Sequence, residues 1–334
     1  MHAKEPMYTA IVAAYNVEKY IGSCLDSILK IQDDNLEIII VTGRKTDQTN
    51  HICEEYSLRK NIKLVRQNGV GLSNARNCGI NEATGQYIFF VDGDDSVDSQ
   101  KLKKFLSNAS KLIQGQKVDA ILNDFYFTTE TGSVLIENNQ IPAGDFSNFR
   151  YAEKIIKSKG TFWNSWRFLF SKTFIKERRL YFKENSTCED LEFAVRLFTM
   201  TNHLWFCHIP YYQYCPVRND SLMNSKNYEM IRDFFGVQND LRFLLKHTKF
   251  KLTSVIISKL NELVILCLPD IYEVDKNDRK RCAVEYQKFA RKASVSSGGI
   301  QKFIFMIMKT DGVYMLSYLL YYIKKVRRKK RYKV

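Results

Sequence analysis

The chain has 334 residues, 45% of them hydrophobic and including 22 Phe and 19 Tyr, enough for a full core in one large domain or two smaller ones. Its formal charge is +15, but residues 324–334 supply eight of those charges with no acid among them, leaving +7 elsewhere, which argues against a nucleic-acid surface spread through the fold. Eight scattered cysteines without a C-x-x-C pair indicate neither a zinc site nor a disulfide framework, and read as reduced thiols of a cytosolic protein. The opening "MHAKEPMYTAIVAAYN" is too short and polar for a signal peptide, and the longest apolar candidate span, Phe303 to Ile323, is broken by "KTDG" at 309–312.

The first third alternates between strand-like and helix-like runs. "YTAIVAAY" (8–15) reads as a buried strand, and 17–31 has helical apolar spacing at Val17, Tyr20, Ile21, Leu25, Ile28 and Leu29. "LEIIIV" (36–41) is a second strand, followed by a helix opening near Thr46–Asp47 and running to about Leu58. "IKLVRQ" (62–67) is a third strand, and a helix runs from about Leu72 to Ala83 before the strand "QYIFFV" (86–91). "VDAILNDFYF" (118–127) reads as a further strand. These β-α-β units predict an α/β, mostly parallel sheet flanked by helices. Neither G-x-G-x-x-G after the first strand nor G-x-x-x-x-G-K-[ST] occurs, so no dinucleotide cofactor and no P-loop is signalled.

The fourth strand runs straight into Asp92, Asp94 and Asp95. Three close carboxylates repel one another unless something positive compensates them. The knot fits a turn followed by a helix cap, since Asp and Gly favour both and Ser96 is a cap residue. The sharper alternative is a divalent metal at the carboxyl end of a strand, where open α/β sheets place their ligands, although acidic turns are common.

Beyond residue 145 the pattern is mixed, with a helix at 149–159, the aromatic run "TFWNSWRFLF" and a helix beginning near Thr187. Glu189 and Asp190 open that helix, where acids also suit the helix dipole. His203 and His208 flank a strand-like "LWF" and read as structural; Trp163 and Trp166 read as core side chains or sugar-stacking faces. From about Lys226 the chain is mainly helical, with a polar break at 269–281. The apolar, tyrosine-rich "MLSYLLYYI" followed by the basic cluster resembles an interfacial anchor for anionic lipids.

Four ordered motifs resemble glycosyltransferase family 2, the inverting enzymes with the A-type glycosyltransferase fold. They are "AAYNVEKYIGSCLDSIL", "GLSNARNCGINEATGQYIFFVDGDD" (71–95), "FWNSWRFLFSKTFIKERRLYFKENSTCEDLEF" (162–193) and "YYQYCPVRNDSL" (211–222), and together they cover residues 8 to 222. The resemblance implies a catalytic domain over 1–222, with a donor half of about 1–125 and an acceptor half of about 126–222. A helical region (223–323) and a basic tail (324–334) follow. It implies Mn2+ or Mg2+ held by Asp94, with Asp92 in the metal shell or on the ribose and Asp95 doing either or capping the next helix. It makes Asp190 the general base with Glu189 shaping the site. Ala13, Tyr15, Glu18, Thr42 and Arg76 are implied to lie around the donor nucleotide, with Arg218 and Ser221 reaching the diphosphate from a closing loop.

The implied reaction moves a sugar from a nucleotide-sugar donor, a UDP-sugar by resemblance, to a saccharide or lipid-linked saccharide acceptor in bacterial surface polysaccharide synthesis. The protein would be cytoplasmic and peripheral on the inner face of the cell membrane, holding an anionic membrane surface through its tail, with no nucleic acid as partner. Two departures from the family pattern bear on the donor. "VTGRKTD" replaces the usual "D-D-G-S-T-D", placing Thr42 and Gly43 where acids stand and adding Arg44 and Lys45, which are expected to attract donor phosphates. The first motif's Pro is Ala13. The alternatives are a nucleotidyltransferase on a related sheet and a non-catalytic membrane-associated partner.

Overall fold

The computed structural model describes residues 6–44, 47–129, 132–137, 149–157, 163–215, 226–293 and 299–331. The chain divides into two compact units, Met1–Arg218 and Asn219–Val334. The first unit is built on β1 (Tyr8–Ala14), α1 (Ile21–Leu29), β2 (Leu36–Thr42), α2 (Thr49–Tyr56), β3 (Ile62–Arg66), α3 (Leu72–Glu82) and β4 (Tyr87–Asp92). It continues through β5 (Ser96–Val97), α4 (Ser99–Gly115), β6 (Ala120–Thr129), β7 (Gly132–Ile136), α5 (Phe149–Lys157), β8 (Phe168–Ser171), α6 (Lys172–Arg178), α7 (Glu189–Met200) and β9 (Leu204–Tyr214).

These strands form one sheet in the order β3-β2-β1-β4-β8-β6-β9-β5, with β7 beside β6. β1 to β4 are parallel, β8 runs antiparallel to both β4 and β6, and β6 and β9 are parallel. β1 and β4 are nearly continuous apolar runs because both faces of the sheet are covered. The register sets Ala13 against Val41 on one side and Asp92 on the other, and Ala14 against Thr42. The carboxyl ends of β1, β2 and β4 therefore form one edge.

Two glycines let elements approach this edge. A Cβ on Gly79 of α3 would meet Ile11 Cγ2 at 2.3 Å, and one on Gly93 would meet the Ala13 carbonyl oxygen at 2.9 Å. Both positions admit only a hydrogen without a shift of backbone or core.

Several elements differ from the sequence reading. α1 starts at Ile21 rather than Val17, because Val17 to Tyr20 form a turn in which the Val17 carbonyl accepts from the Tyr20 and Ile21 amides. The left-handed Asn16, at φ 52°, turns the chain into it, and Asn tolerates that conformation. β9 runs unbroken from Leu204 to Tyr214 although it contains Pro210. Its pairing with β6 shifts between Asn123 and Phe125, and there the Asn123 amide bonds both the N–H and the C=O of Ile209. A side chain thus replaces the ladder at an irregularity, the kind of position where strands accept proline.

The second unit holds α8 (Tyr228–His247), α9 (Thr253–Leu266), α10 (Arg279–Lys292), α11 (Gly299–Met308) and α12 (Gly312–Arg331), with a short 3-10 turn at Leu268–Tyr272. Its core gathers Phe235, Val264, Tyr286, Phe289, Phe305 and Met308. No single described helix is long and apolar enough to cross a membrane; α11 and α12 together reach that length only across a 119° bend.

Candidate active site

α3 carries Arg76 under the carboxyl edge of the sheet, where its side chain is only 1% exposed. One guanidinium nitrogen donates to Asp190 Oδ1 at 2.8 Å and to Glu189 Oε1 at 3.2 Å; the other donates to Asp92 Oδ1 at 3.0 Å. The guanidinium lies 5.2 Å from the centre of the Phe182 ring, which closes it off from below. One buried cation therefore ties the end of β4 to the start of α7. Its three partners keep 20% (Asp92), 13% (Glu189) and 18% (Asp190) of their side chains open to solvent, so the cluster is reached from outside through its carboxylates.

The charges are out of balance, and this shows in their titration. Burial would discharge Arg76, but Asp190, Asp92 and Glu189 outweigh it and hold the guanidinium above its ordinary range. Burial and the neighbouring Asp190 push Glu189 up to about 7, against the pull of Arg76. Burial also raises Asp190, with Arg76 opposing. Both carboxyls thus hold their protons more tightly than free ones do, and perturbed acids of this kind mark candidate functional sites. Neither acid caps α7: the N-cap is Cys188, which makes no side-chain cap bond. Their position in the first helical turn still favours the ionised form.

The acidic knot after β4 divides into different roles. Asp95 is withdrawn at 3% exposure, its two oxygens accepting from the Tyr212 hydroxyl and the Cys215 amide, each at 2.7 Å. Burial, then Asp92 and Asp94, raise its carboxyl well above the usual range. Asp95 thus locks β9 under the turn and caps nothing; the cap of α4 is Asp98, which accepts from the Lys101 amide at 3.0 Å. Tyr212 is 1% exposed with Trp166 stacked on it at 4.3 Å and 12°, so it offers no ring face to a ligand.

Asp92 and Asp94 remain at the outer turn, half-buried. Among the described residues no cluster of three or more His, Cys, Asp or Glu forms a ready metal cage. Two carboxylates with hard oxygen donors at a strand end fit Mg2+ or Mn2+, which take their remaining ligands from phosphate and water. Asp94 and the Asp92 oxygen not held by Arg76 are the residues that would hold such an ion.

The other expected donor-side residues spread along the same edge. Ala13 lies beside Asp92, and Tyr15 exposes 55% of its surface with its ring against Gly43. Thr42 is 1% exposed, so its hydroxyl is covered, and Tyr15 is the exposed ring just beyond the end of β1. Glu18 accepts from the Gln48 amide at 2.9 Å, while Asp47 accepts from Glu18 and Thr49 amides, fixing the loop after β1 to the start of α2. Arg44 is exposed. Lys45, Thr46, Arg218 and Ser221 lie outside the described residues. Trp166 is core rather than a sugar platform, and Trp163 is half-buried. His208 pairs with the buried Asp124 at 2.6 Å, and the His203 amide is held by Asp119; both lie apart from the Arg76 cluster in these contacts.

Asn77, next to Arg76, has a role that the sequence did not signal. Its amide donates to the Phe182 carbonyl at 2.9 Å and accepts from the Phe182 amide at 2.8 Å, while Asn74 donates to Glu184 at 3.0 Å. Asn74 and Asn77, three residues apart on one side of α3, thereby grip the segment leading into α7, which helps set where Glu189 and Asp190 emerge.

Fold and edge define an A-type glycosyltransferase architecture: a mostly parallel α/β sheet with an acidic turn at the carboxyl end of a central strand. Residues 9–174 match the family model described as Glycosyl transferase family 2, and the chain belongs to that family. It is 31% identical over 192 residues to the uncharacterized glycosyltransferase EpsJ of Bacillus subtilis (strain 168), covering 57% of this chain and 53% of EpsJ, about half of that relative's length. The fold superimposes on that of S. aureus TarS 1-349, determined in complex with UDP-GlcNAc, with a TM-score of 0.70 at 18% identity, covering 93% of this chain and 89% of TarS 1-349. The mannosyltransferase PcManGT from Pyrobaculum calidifontis, determined with GDP-Man and Mn2+, gives a TM-score of 0.53 at 16% identity, covering 97% of this chain and 87% of PcManGT.

Proposed function

We propose that this chain is a metal-dependent inverting glycosyltransferase of bacterial surface polysaccharide synthesis. It moves a sugar from a nucleoside-diphosphate donor, a UDP-sugar on the pattern of the TarS complex, to the hydroxyl of a saccharide or lipid-linked saccharide. The observation that carries this reading is the Arg76 bridge, which brings the donor edge at Asp92 and the candidate base Asp190 to opposite arms of one guanidinium.

The acceptor hydroxyl gives its proton to the Asp190 carboxylate as its oxygen bonds to the anomeric carbon. The bond from that carbon to the β-phosphate oxygen breaks on the opposite face, and its electron pair leaves with the nucleoside diphosphate. The proton passes from Asp190 to solvent after the product departs. Asp94 and Asp92 would hold a divalent ion, which when bound would supply Lewis-acid neutralisation of the leaving diphosphate. Arg76 aims Asp190 and opposes the rise that burial imposes on its carboxyl, while Glu189, raised to about 7, shares the same guanidinium.

Incubation with single UDP-sugars, Mn2+ and saccharide acceptors tests this reading, with UDP release and the anomeric configuration read by NMR. The reading requires UDP and a product of inverted configuration. Pyrophosphate released from a nucleoside triphosphate would support a nucleotidyltransferase instead, and neither donor binding nor turnover with any sugar nucleotide would support a non-catalytic partner.

A further inference from the structure

We propose that α11 and α12 of the second unit form a surface that inserts into an anionic lipid bilayer, with the basic residues beyond Lys324 holding the lipid headgroups. Both helices bury one side and leave the other apolar. On α11, Phe305 and Met308 enter the core, whereas Ile300, Phe303 and Met306 are more than half exposed. On α12, Val313 and Ser317 are fully buried, whereas Met315, Leu319 and Tyr322 recur at four- and three-residue spacing and are likewise more than half exposed. Spacing of that kind places them on one side of the helix.

A soluble monomer seldom keeps two adjoining helices apolar toward water. The stripe is also fixed in place rather than frayed. Lys324, counted by sequence with the basic tail, instead donates to Glu273 at 2.8 Å and lies 3.6 Å from the buried Asp270, and α12 continues as helix through Arg331. Seven further Lys and Arg follow Lys324 within residues 325–334, with no acid among them. A lipid surface is the occupant that matches both halves of this pattern: apolar side chains enter the acyl boundary while adjacent cations meet phosphate headgroups. The 119° bend and the shortness of each helix fit helices lying in the interface rather than crossing it.

The test uses the full chain and flotation with vesicles of phosphatidylcholine alone or with phosphatidylglycerol. The wild type is expected to float with the anionic vesicles and not with the neutral ones, and to lose binding as salt rises. The double variant Phe303→Asp/Leu319→Asp alters two exposed positions and is expected to keep its melting temperature while losing at least tenfold in vesicle partition. Deletion of 325–334 is expected to leave weak binding that no longer responds to salt. Wild-type partition by the double variant would overturn the proposal. So would a lipid-free dimer, seen by sedimentation velocity, that the double variant splits while neither protein floats, because a second copy of the chain would then cover the stripe.

Discussion

Removing Arg76 tests the site where its parts depend on one another most. Arg76→Met keeps much of the volume and deletes the cation that bonds Asp92, Glu189 and Asp190. A pair of unit charges about 4 Å apart interacts by about 4 kcal/mol at an effective dielectric near 20, equivalent to about three pKa units at 1.4 kcal/mol each. Water entering the emptied space and proton uptake by the carboxyls offset part of this, leaving an upward displacement of about one to two units for the acids. Glu189 already titrates near 7, so the variant should carry protonated acids across the physiological range. Loss of one partner from a buried ionic cluster typically destabilises by about 3–5 kcal/mol. The assay pairs thermal unfolding with a pH–rate profile of sugar transfer. The acid limb should move up by about one to two units, with some activity recovered at high pH, and Arg76→Lys should fall between because it keeps the charge without the fork. An unmoved acid limb in a stably folded Arg76→Met would refute the role given to the guanidinium.

Three further outcomes follow from the same geometry. Asp94→Ala should abolish transfer and remove Mn2+-dependent binding of UDP measured by calorimetry, whereas full activity with Mn2+ would place the ion elsewhere. Glu189→Gln should stabilise the fold increasingly as pH rises. A carboxyl whose folded pKa is raised to about 7 contributes stability fully below its ordinary value of 4.5 and loses it as pH climbs through 7, so the melting-temperature gap should open between about pH 4.5 and 7, to a limit of about 3 kcal/mol. A constant gap would show that Glu189 does not carry the strained charge. Asn77→Ala should lower stability by about 1–3 kcal/mol through the two orphaned Phe182 backbone groups, and lower turnover with little change in donor affinity; unchanged turnover would separate that clamp from the placement of α7.

The alternating strands and helices of the first unit were legible because a sheet covered on both faces demands continuous apolar runs, which 8–15, 36–41 and 86–91 supply. The acidic knot was legible as a location but not as a division of labour. Asp95 is separated from Tyr212 and Cys215 by well over a hundred residues, so no local pattern distinguishes it from Asp94. Arg76 was placed by resemblance near the nucleotide. That its three partners lie on β4 and α7, rather than on a phosphate, depends on a tertiary contact that spacing does not encode. Only a strand-like "LWF" is legible where β9 runs on to Tyr214, because the Asn123 amide that repairs the ladder beside Pro210 sits on another strand. Likewise Lys324 looked like tail until Glu273 and Asp270 were found beside it.

The assignment of Asp190 as the base is the centre of the account, and Asp190→Asn addresses it directly. The substitution keeps volume and an acceptor toward Arg76 but cannot take a proton. Turnover should fall by roughly two to four orders of magnitude, the usual contribution of a positioned base. UDP-sugar and Mn2+ affinity should barely change, because the proposed donor and metal contacts are at the β4 end near Asp92 and Asp94, and the melting temperature should stay close to that of the wild type. Near-normal turnover in the folded variant would contradict the assignment and pass the role to Glu189.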